Sequence, residues 1–390
     1  MIKRKVLTII GTRPEAIKLA PVVLELKRRH DLVDFSVCVT AQHREMLDQP
    51  LALFGIKPDY DLDIMSPGQT LAKVTALAME GIDNVVSQEK PDVILVQGDT
   101  TTAFCGALTG YYHQIKVAHV EAGLRTGNKY APFPEEINRC LIGRIADLHF
   151  APTEQARQTL LNEGVTGPNV FVTGNTVIDA LLWVRERVRC APPKLPAGLL
   201  EATTGKQIIL VTGHRRESFG NGFDNICHAI REIADSFVDV AFIYPVHLNP
   251  NVREPVNRIL GRHPRIHLIE PLSYAPFVWL MDRATIVLTD SGGVQEEAPS
   301  LGKPVLVMRE MTERTEGITT GNALLVGVQR ERIVDGLRQL LCDPQRRAMM
   351  VTVNNPYGDG RAAQRIVEIL LPGRHNYDGK NKLRSATGPS

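Results

Sequence analysis

The sequence predicts an α/β protein made of two Rossmann-like domains, each a doubly wound parallel sheet, with a crevice between them. Three observations carry this. Short β-rich apolar runs alternate with amphipathic stretches along nearly the whole chain. The runs are continuously apolar rather than alternating, as expected of strands covered on both faces. The alternation pauses at residues 190–206, which are rich in Pro and Gly, and then restarts.

In the first half, strands are predicted at Lys5–Ile10, Phe35–Thr40, Val93–Gln97, Lys116–Val120, Leu148–Ala151 and Val170–Thr173. Helical spacing of apolar residues places helices at Ala16–Arg29, Arg44–Phe54, Thr70–Gln88, Thr101–His113 and Glu135–Arg144. Strand–helix–strand units of this kind cross over right-handed. After the connector, strands are predicted at Gln207–Thr212, Val240–Val246, Ile266–Ile269, Thr285–Thr289 and Pro304–Met308. A closing helix at Asp359–Leu371 carries apolar Ala362, Ala363, Ile366, Val367, Ile369 and Leu370, and either caps the second domain or crosses back to the first. Crossing back gives a first domain of residues 1–174 joined by helix 357–371, and a second of 175–356. Residues 372–390 are polar, punctuated by Gly and Pro, and predicted to be disordered.

A chain of 390 residues fits two domains of ordinary size, and 43% hydrophobic with 23% charged residues is a globular composition. Forty-five basic and 43 acidic residues nearly cancel, so net charge gives no reason to expect nucleic acid. No run approaches the roughly 20 apolar residues that span a bilayer. The basic start Met1–Lys5 precedes an apolar run, Val6–Ile10, too short for a signal peptide. Six scattered cysteines without a C-x-x-C pair suit reduced thiols and a cytoplasmic location.

Residues suited to chemistry cluster where predicted strands end. Gly11-Thr12-Arg13-Pro14-Glu15 follows the first strand, and such a turn offers backbone N–H groups and a helix dipole to an anion, with Arg13 adding a phosphate contact. An ordinary turn with a surface Arg is the alternative. Neither a P-loop nor G-x-G-x-x-G is present here. Gln97-Gly98-Asp99-Thr100 ends the third predicted strand; Asp99 faces the strand edge unless it or Thr100 only caps the next helix. His119-Val120-Glu121 brings Glu121 to the same edge, and Glu135 and Glu136 begin a helix soon after. First-turn acids often serve only the helix dipole. Carboxylates gathered in one cleft, however, supply an acid and a base at neutral pH.

In the second half, Gly213-His214-Arg215-Arg216-Glu217 occupies the position of the Gly11 turn and suits a diphosphate, although Arg216 reads equally as surface charge. Asp290-Ser291-Gly292-Gly293 opens a helix whose start suits phosphate oxygens, with Glu296 or Glu297 one turn on to accept ribose hydroxyls. Asp59-Tyr60-Asp61-Leu62-Asp63 contains the D-x-D pattern of metal–sugar-diphosphate sites. Its alternation favours a solvated strand face, with Tyr60, Leu62 and Ile64 turned the other way. No H-E-x-x-H or His/Cys cluster supports a metal.

Taken in order, Gly11–Lys18, Ala41–Asp48, Gly98–Thr100, His119–Arg125, Gly213–Glu217 and Asp290–Gly293 resemble bacterial non-hydrolysing UDP-N-acetylglucosamine 2-epimerases, from about residue 4 to about residue 370. The resemblance implies a GT-B-type fold, a homodimer, no metal or nicotinamide cofactor, and a UDP-binding second domain. It implies reversible C2 epimerisation of UDP-N-acetylglucosamine to UDP-N-acetylmannosamine for surface polysaccharide precursors. The route that it implies is UDP elimination to 2-acetamidoglucal and re-addition. Asp99, Glu121 and Glu135 match the family's acidic catalytic positions, with His214 beside them. Arg13, Lys18, Arg139, His214, Ser291, Gly292, Gly293, Glu297 and Arg314 match substrate-binding positions. Gln42, His43, Arg215 and His247 match a neighbouring site at which a second UDP-N-acetylglucosamine activates. One departure is Thr315, where many members carry Pro, which predicts a looser loop near the uridine.

Two other classes are compatible with the same pattern. A glycosyltransferase using a UDP-sugar donor shares the architecture but needs no C2 base, and a sugar-nucleotide sensor needs no acid–base set at all.

Overall fold

The structure is a computed structural model that describes residues 3–40, 44–66, 68–352 and 355–371. The first series runs β1 (Arg4–Ile10), α1 (Arg13–Arg28), β2 (Val33–Val39), α2 (Arg44–Phe54), β3 (Tyr60–Asp61), α3 (Leu71–Glu89), β4 (Val93–Gln97), α4 (Thr101–Tyr112) and β5 (Lys116–Val120). It continues with α5 (Glu135–Ile145), β6 (Leu148–Ala151), α6 (Glu154–Asn162), β7 (Val170–Val172) and α7 (Thr176–Cys190). After α8 (Leu199–Thr203), the second series is β8 (Gln207–Thr212), α9 (Asn221–Ser236), β9 (Val240–Pro245), α10 (Pro250–Leu260), β10 (Ile266–Ile269), α11 (Tyr274–Arg283) and β11 (Ile286–Thr289). It closes with α12 (Gly292–Glu297), β12 (Val305–Val307), α13 (Thr315–Thr320), β13 (Ala323–Leu325), α14 (Arg330–Cys342), α15 (Pro344–Thr352) and α16 (Ala362–Leu370).

Two parallel sheets result, ordered β3-β2-β1-β4-β5-β6-β7 and β10-β9-β8-β11-β12-β13. Both reverse direction beside their first strand, at β1/β4 and at β8/β11, and such switch points open a crevice at the carboxyl ends of the strands. The predicted two-domain α/β class therefore stands. The strands are fully covered: Val93–Gln97 is buried throughout, as the continuous apolar pattern requires.

Helix α7 ties the two series together by packing on α1 and α16 on one side and on α11 on the other. Through it, one apolar core runs from Leu19 and Leu26 to Trp279 and Val287. The closing helix α16 lies on α1 and α7, so it crosses back to the first series. Its start is three residues later than predicted because the buried Asp179 of α7 accepts from the N–H groups of Ala362 and Ala363 (3.2 and 2.8 Å). Helix α1 begins three residues earlier than predicted, at Arg13, since Pro14 is tolerated in a first turn.

The sequence pattern did not pick out β13, the connector helix α8 or the helices beyond β12, whereas β3 falls in the Asp59–Asp63 segment read as a strand face. Asp59, Asp61 and Asp63 are exposed while Ile64 is buried, and Asp59 accepts from Val37 N, which matches a solvated face. No described helix is long and apolar enough to cross a membrane. The predicted tail falls outside the described residues.

Candidate active site

A cavity of about 440 Å³ lies at the carboxyl edge of the first sheet, and Lys18, Asp99, Glu121, Glu135, Arg139 and Arg314 all line it. Each reaches it by local chain logic. Gly98 takes a left-handed φ of 70° directly after β4, which a side chain would resist, and so turns Asp99 toward the cavity. His119 supports that turn: its Nε2 donates to the Gly98 carbonyl (2.7 Å), and burial holds the ring neutral, with a pKa pushed down to about 3. His119 is thus a strut behind the cavity wall. Thr100 caps α4 by accepting from Ala103 N (3.0 Å), as one of the two sequence readings proposed.

Glu121 forms the floor. It is buried and holds a φ of 63°, unusual for a residue with a side chain and a form of strain concentrated at functional positions. Lys18 Nζ donates to both of its oxygens (2.7 and 2.6 Å), Gln97 donates to one, and Asn175 Nδ2 donates to the other at 3.0 Å. Burial alone would raise its pKa, but Lys18, with Arg314 and the Asn175 amide, holds it below the usual carboxylate range. Burial likewise opposes the Lys18 charge, and Glu121 with Glu296 overcomes it, so Lys18 stays above the ordinary lysine value. From the second series, Glu296 accepts from Asn175 Nδ2 (2.8 Å) and from Arg314 Nε (2.8 Å). Burial, with Glu121 close by, pushes the Glu296 pKa up.

The opposite wall is looser. Asp99 pairs with Arg139, whose buried Nε has no hydrogen-bond partner among the described residues. Glu136 is turned away, accepting from Thr126 N and Gly127 N (3.0 and 2.9 Å). Glu135, the first residue of α5, makes no hydrogen bond or ion pair among the described residues. Glu15, quoted in the sequence only as part of a motif, also lines the cavity. It accepts from Gly11 N (3.2 Å) and the Thr100 hydroxyl (2.8 Å), and burial raises its pKa to about 7.

The His214 turn and Asp290 form a second group at the β8/β11 switch point. Asp290 is fully buried and accepts from the backbone N–H of His214 and of Arg215 (2.7 and 2.8 Å). His214 stacks on His247 with ring centroids 5.5 Å apart, and its side chain stays 44% exposed. Burial leads the causes that lower its pKa, so the ring is neutral at pH 7. Arg215 reaches Glu313 (3.8 Å), which also accepts from Arg314 (2.6 Å), and this joins the two groups. Ser291 precedes α12 and makes no capping bond with its hydroxyl. Gly292 lies against Arg314, where an added Cβ would sit 3.1 Å from the guanidinium carbon, whereas Gly293 faces open space. Glu297 accepts from the Tyr274 hydroxyl (2.6 Å), with a pKa raised by burial to about 7; the charge of Arg13 acts on the same tyrosine. Gln42 and His43 lie outside the described residues.

Sequence reasoning passed over Asn175 and did not place Glu296 or Glu15 in this network. A usable signal existed for Asn175: it follows β7 at the same sheet edge that carries Asp99 and Glu121.

Comparison with known proteins places the chain in a family. Residues 25–371 match the family described as UDP-N-acetylglucosamine 2-epimerase. The chain is 56% identical over 373 residues to UDP-N-acetylglucosamine 2-epimerase of Escherichia coli strain K12, covering 95% of this chain and 99% of that one. It is 59% identical over 370 residues to the Yersinia pestis protein of the same name, covering 94% and 98%. A crystal structure of the Neisseria meningitidis UDP-GlcNAc 2-epimerase bound to UDP-GlcNAc superposes with a TM-score of 0.83 at 48% identity, covering 94% and 99%. This chain belongs to the UDP-N-acetylglucosamine 2-epimerase family.

Proposed function

We propose that this chain reversibly inverts C2 of UDP-N-acetylglucosamine to give UDP-N-acetylmannosamine. The observation that carries the reading is the convergence of Asp99, Glu121 and Glu135 on one sugar-sized cavity, with cations from both series beside them. A carboxylate removes the C2 proton as the C1–O bond breaks and UDP departs, leaving 2-acetamidoglucal. A proton then returns to C2 from the other face while UDP re-adds at C1. Two faces require more than one acid–base group. Glu121, kept ionised by Lys18, fits the base, and unpaired Glu135 or Asp99 fits the partner. In this scheme Arg13, His214 and the Ser291–Gly293 segment hold the departing diphosphate, Arg139 and Arg314 flank the sugar, and Glu297 takes the ribose.

The second domain, 175–356, is the UDP-binding one in this reading, against a first of 1–174 joined by 357–371. UDP-N-acetylglucosamine also serves as activator at Arg215 and His247, together with Gln42 and His43. The His214–His247 stack supports a link between that position and the diphosphate. Initial rates with UDP-N-acetylmannosamine alone should rise when traces of UDP-N-acetylglucosamine are added; equal rates contradict the activation. The helices α4 and α5, which pack together, expose Tyr111, Tyr112, Ile137 and Leu141, supporting a homodimer. Unpaired cysteines accord with a cytoplasmic enzyme supplying surface polysaccharide precursors.

Anion-exchange chromatography of the reaction with UDP-N-acetylglucosamine tests the activity. A second UDP-sugar peak is expected, and its absence, or free UDP accumulating with N-acetylmannosamine, contradicts the proposal.

A further inference from the structure

The scheme above uses Glu121 but not the residue that joins it to the second series. Asn175 is 2% exposed and stands at the N-terminal cap of α7. Its Oδ1 accepts from Val177 N (3.1 Å), which fixes which way the amide points. Nδ2 is therefore directed inward, and its two hydrogens are both used: one on Glu121 Oε1 (3.0 Å), the other on Glu296 Oε2 (2.8 Å). The backbone N–H is held as well, donating to the Tyr357 carbonyl (2.7 Å). One amide thus bridges two buried carboxylates, one at the end of β5 and one on α12, which would otherwise repel. The charged groups facing them are Lys18 from α1, Arg314 ahead of α13 and Glu297 beside Glu296. His119, behind, is neutral.

We propose that Asn175 is a positioning residue for Glu121: its amide clamps the Glu121 and Glu296 carboxylates together, so that the orientation and ionisation of Glu121 depend on the second series being docked. The proposal rests on the reading of Glu121 as a proton-transfer group. A cap-only role for Asn175, contributing to stability and nothing to catalysis, is the competing account. The two accounts separate because Ser and Asp both preserve the cap while neither supplies the two amide hydrogens.

The experiment measures kcat, KM and the pH profile of kcat for Asn175→Ser, Asn175→Asp and Glu296→Gln, with Glu121→Gln as control and a thermal melt for each. The expected result is a fall in kcat of about 10- to 100-fold for Asn175→Ser, with KM changed by no more than about 3-fold, because the base is misplaced rather than the substrate lost. For Asn175→Asp the acid limb of the profile should move to higher pH, since a third carboxylate disfavours ionised Glu121. For Glu296→Gln it should move to lower pH, since one is removed. Opposite shifts cannot come from a cap. Normal kcat and an unmoved profile in the Asn175 variants, with Glu121→Gln inactive, overturn the clamp and leave the base assignment standing. A fully active Glu121→Gln overturns both. Should the Asn175 variants not fold, the Glu296→Gln profile decides alone, and no shift there overturns the proposal.

Discussion

Glu121 and Glu135 face one cavity from different elements and live under opposite constraints. Glu121, at the end of β5, is buried, strained at a positive φ and held by Lys18, Gln97 and Asn175. Glu135, at the start of α5, is partly exposed and makes no hydrogen bond or ion pair among the described residues. The difference teaches how two like groups acquire unlike roles. Glu121 has its geometry and charge set before substrate arrives, with reorientation already paid in folding. Glu135 has no competing side-chain partner among the described residues, which in the proposed scheme leaves it able to exchange a proton with whatever fills the cavity. Asp99 lies between these cases, ion-paired with Arg139.

The largest effect should come from breaking the constrained side. Lys18→Met leaves the buried Glu121 charge without its cation, so stability should drop by about 3–5 kcal/mol in urea denaturation, with activity lost. A loss under about 1 kcal/mol would mean that the pair is too well hydrated to organise the floor. On the free side, Glu135→Gln should lower kcat by about 10²–10⁴-fold while the melting temperature stays put, because no partner is removed. A matching fall in melting temperature would show that Glu135 is structural and dissolve the contrast.

A third test compares the pH response of buried Glu15. Its pKa rises on folding from the ordinary 4.5 to about 7, so the folded state binds the proton more tightly than the unfolded one. The carboxyl therefore weakens the fold as pH rises between those values, by on the order of 3 kcal/mol once fully ionised. Glu15→Gln removes that loss. Relative to the parent, the variant should gain stability steadily from pH 4.5 to 7 and no further above it. A constant difference across that range contradicts a protonated Glu15. The smallest effect is expected at Thr315, whose hydroxyl reaches Gln155 at 3.4 Å across the two series. As the first residue of α13 it tolerates Pro, so Thr315→Pro should stabilise by about 0.4–1 kcal/mol. Its kcat should be nearly unchanged; a large fall would show that the loop needs its freedom.

Much of the fold was legible because doubly covered strands must be apolar along their whole length. Val93–Gln97, Lys116–Val120, Leu148–Ala151 and Gln207–Thr212 fall where their composition predicts. The strand that escaped, Ala323–Leu325, is a three-residue sheet edge. So short a run carries no period. In the site, Asp99, Glu121 and Glu135 were legible because strand ends and helix starts mark the edge of a parallel sheet. Their partnerships were not. Asn175 meets Glu121 from 54 positions away and Glu296 from 121, so its role exists only once both sheets are in place. Asp290 is visible in its motif, but its grip on the His214 turn depends on β8 and β11 being neighbours.

The most direct test of the central claim is NMR of the purified protein with UDP-N-acetylglucosamine in deuterated water. The account predicts deuterium at C2 of both UDP-N-acetylglucosamine and UDP-N-acetylmannosamine with UDP still attached, and no such incorporation with Glu121→Gln. Epimerisation without C2 exchange, or release of free N-acetylmannosamine, would contradict it.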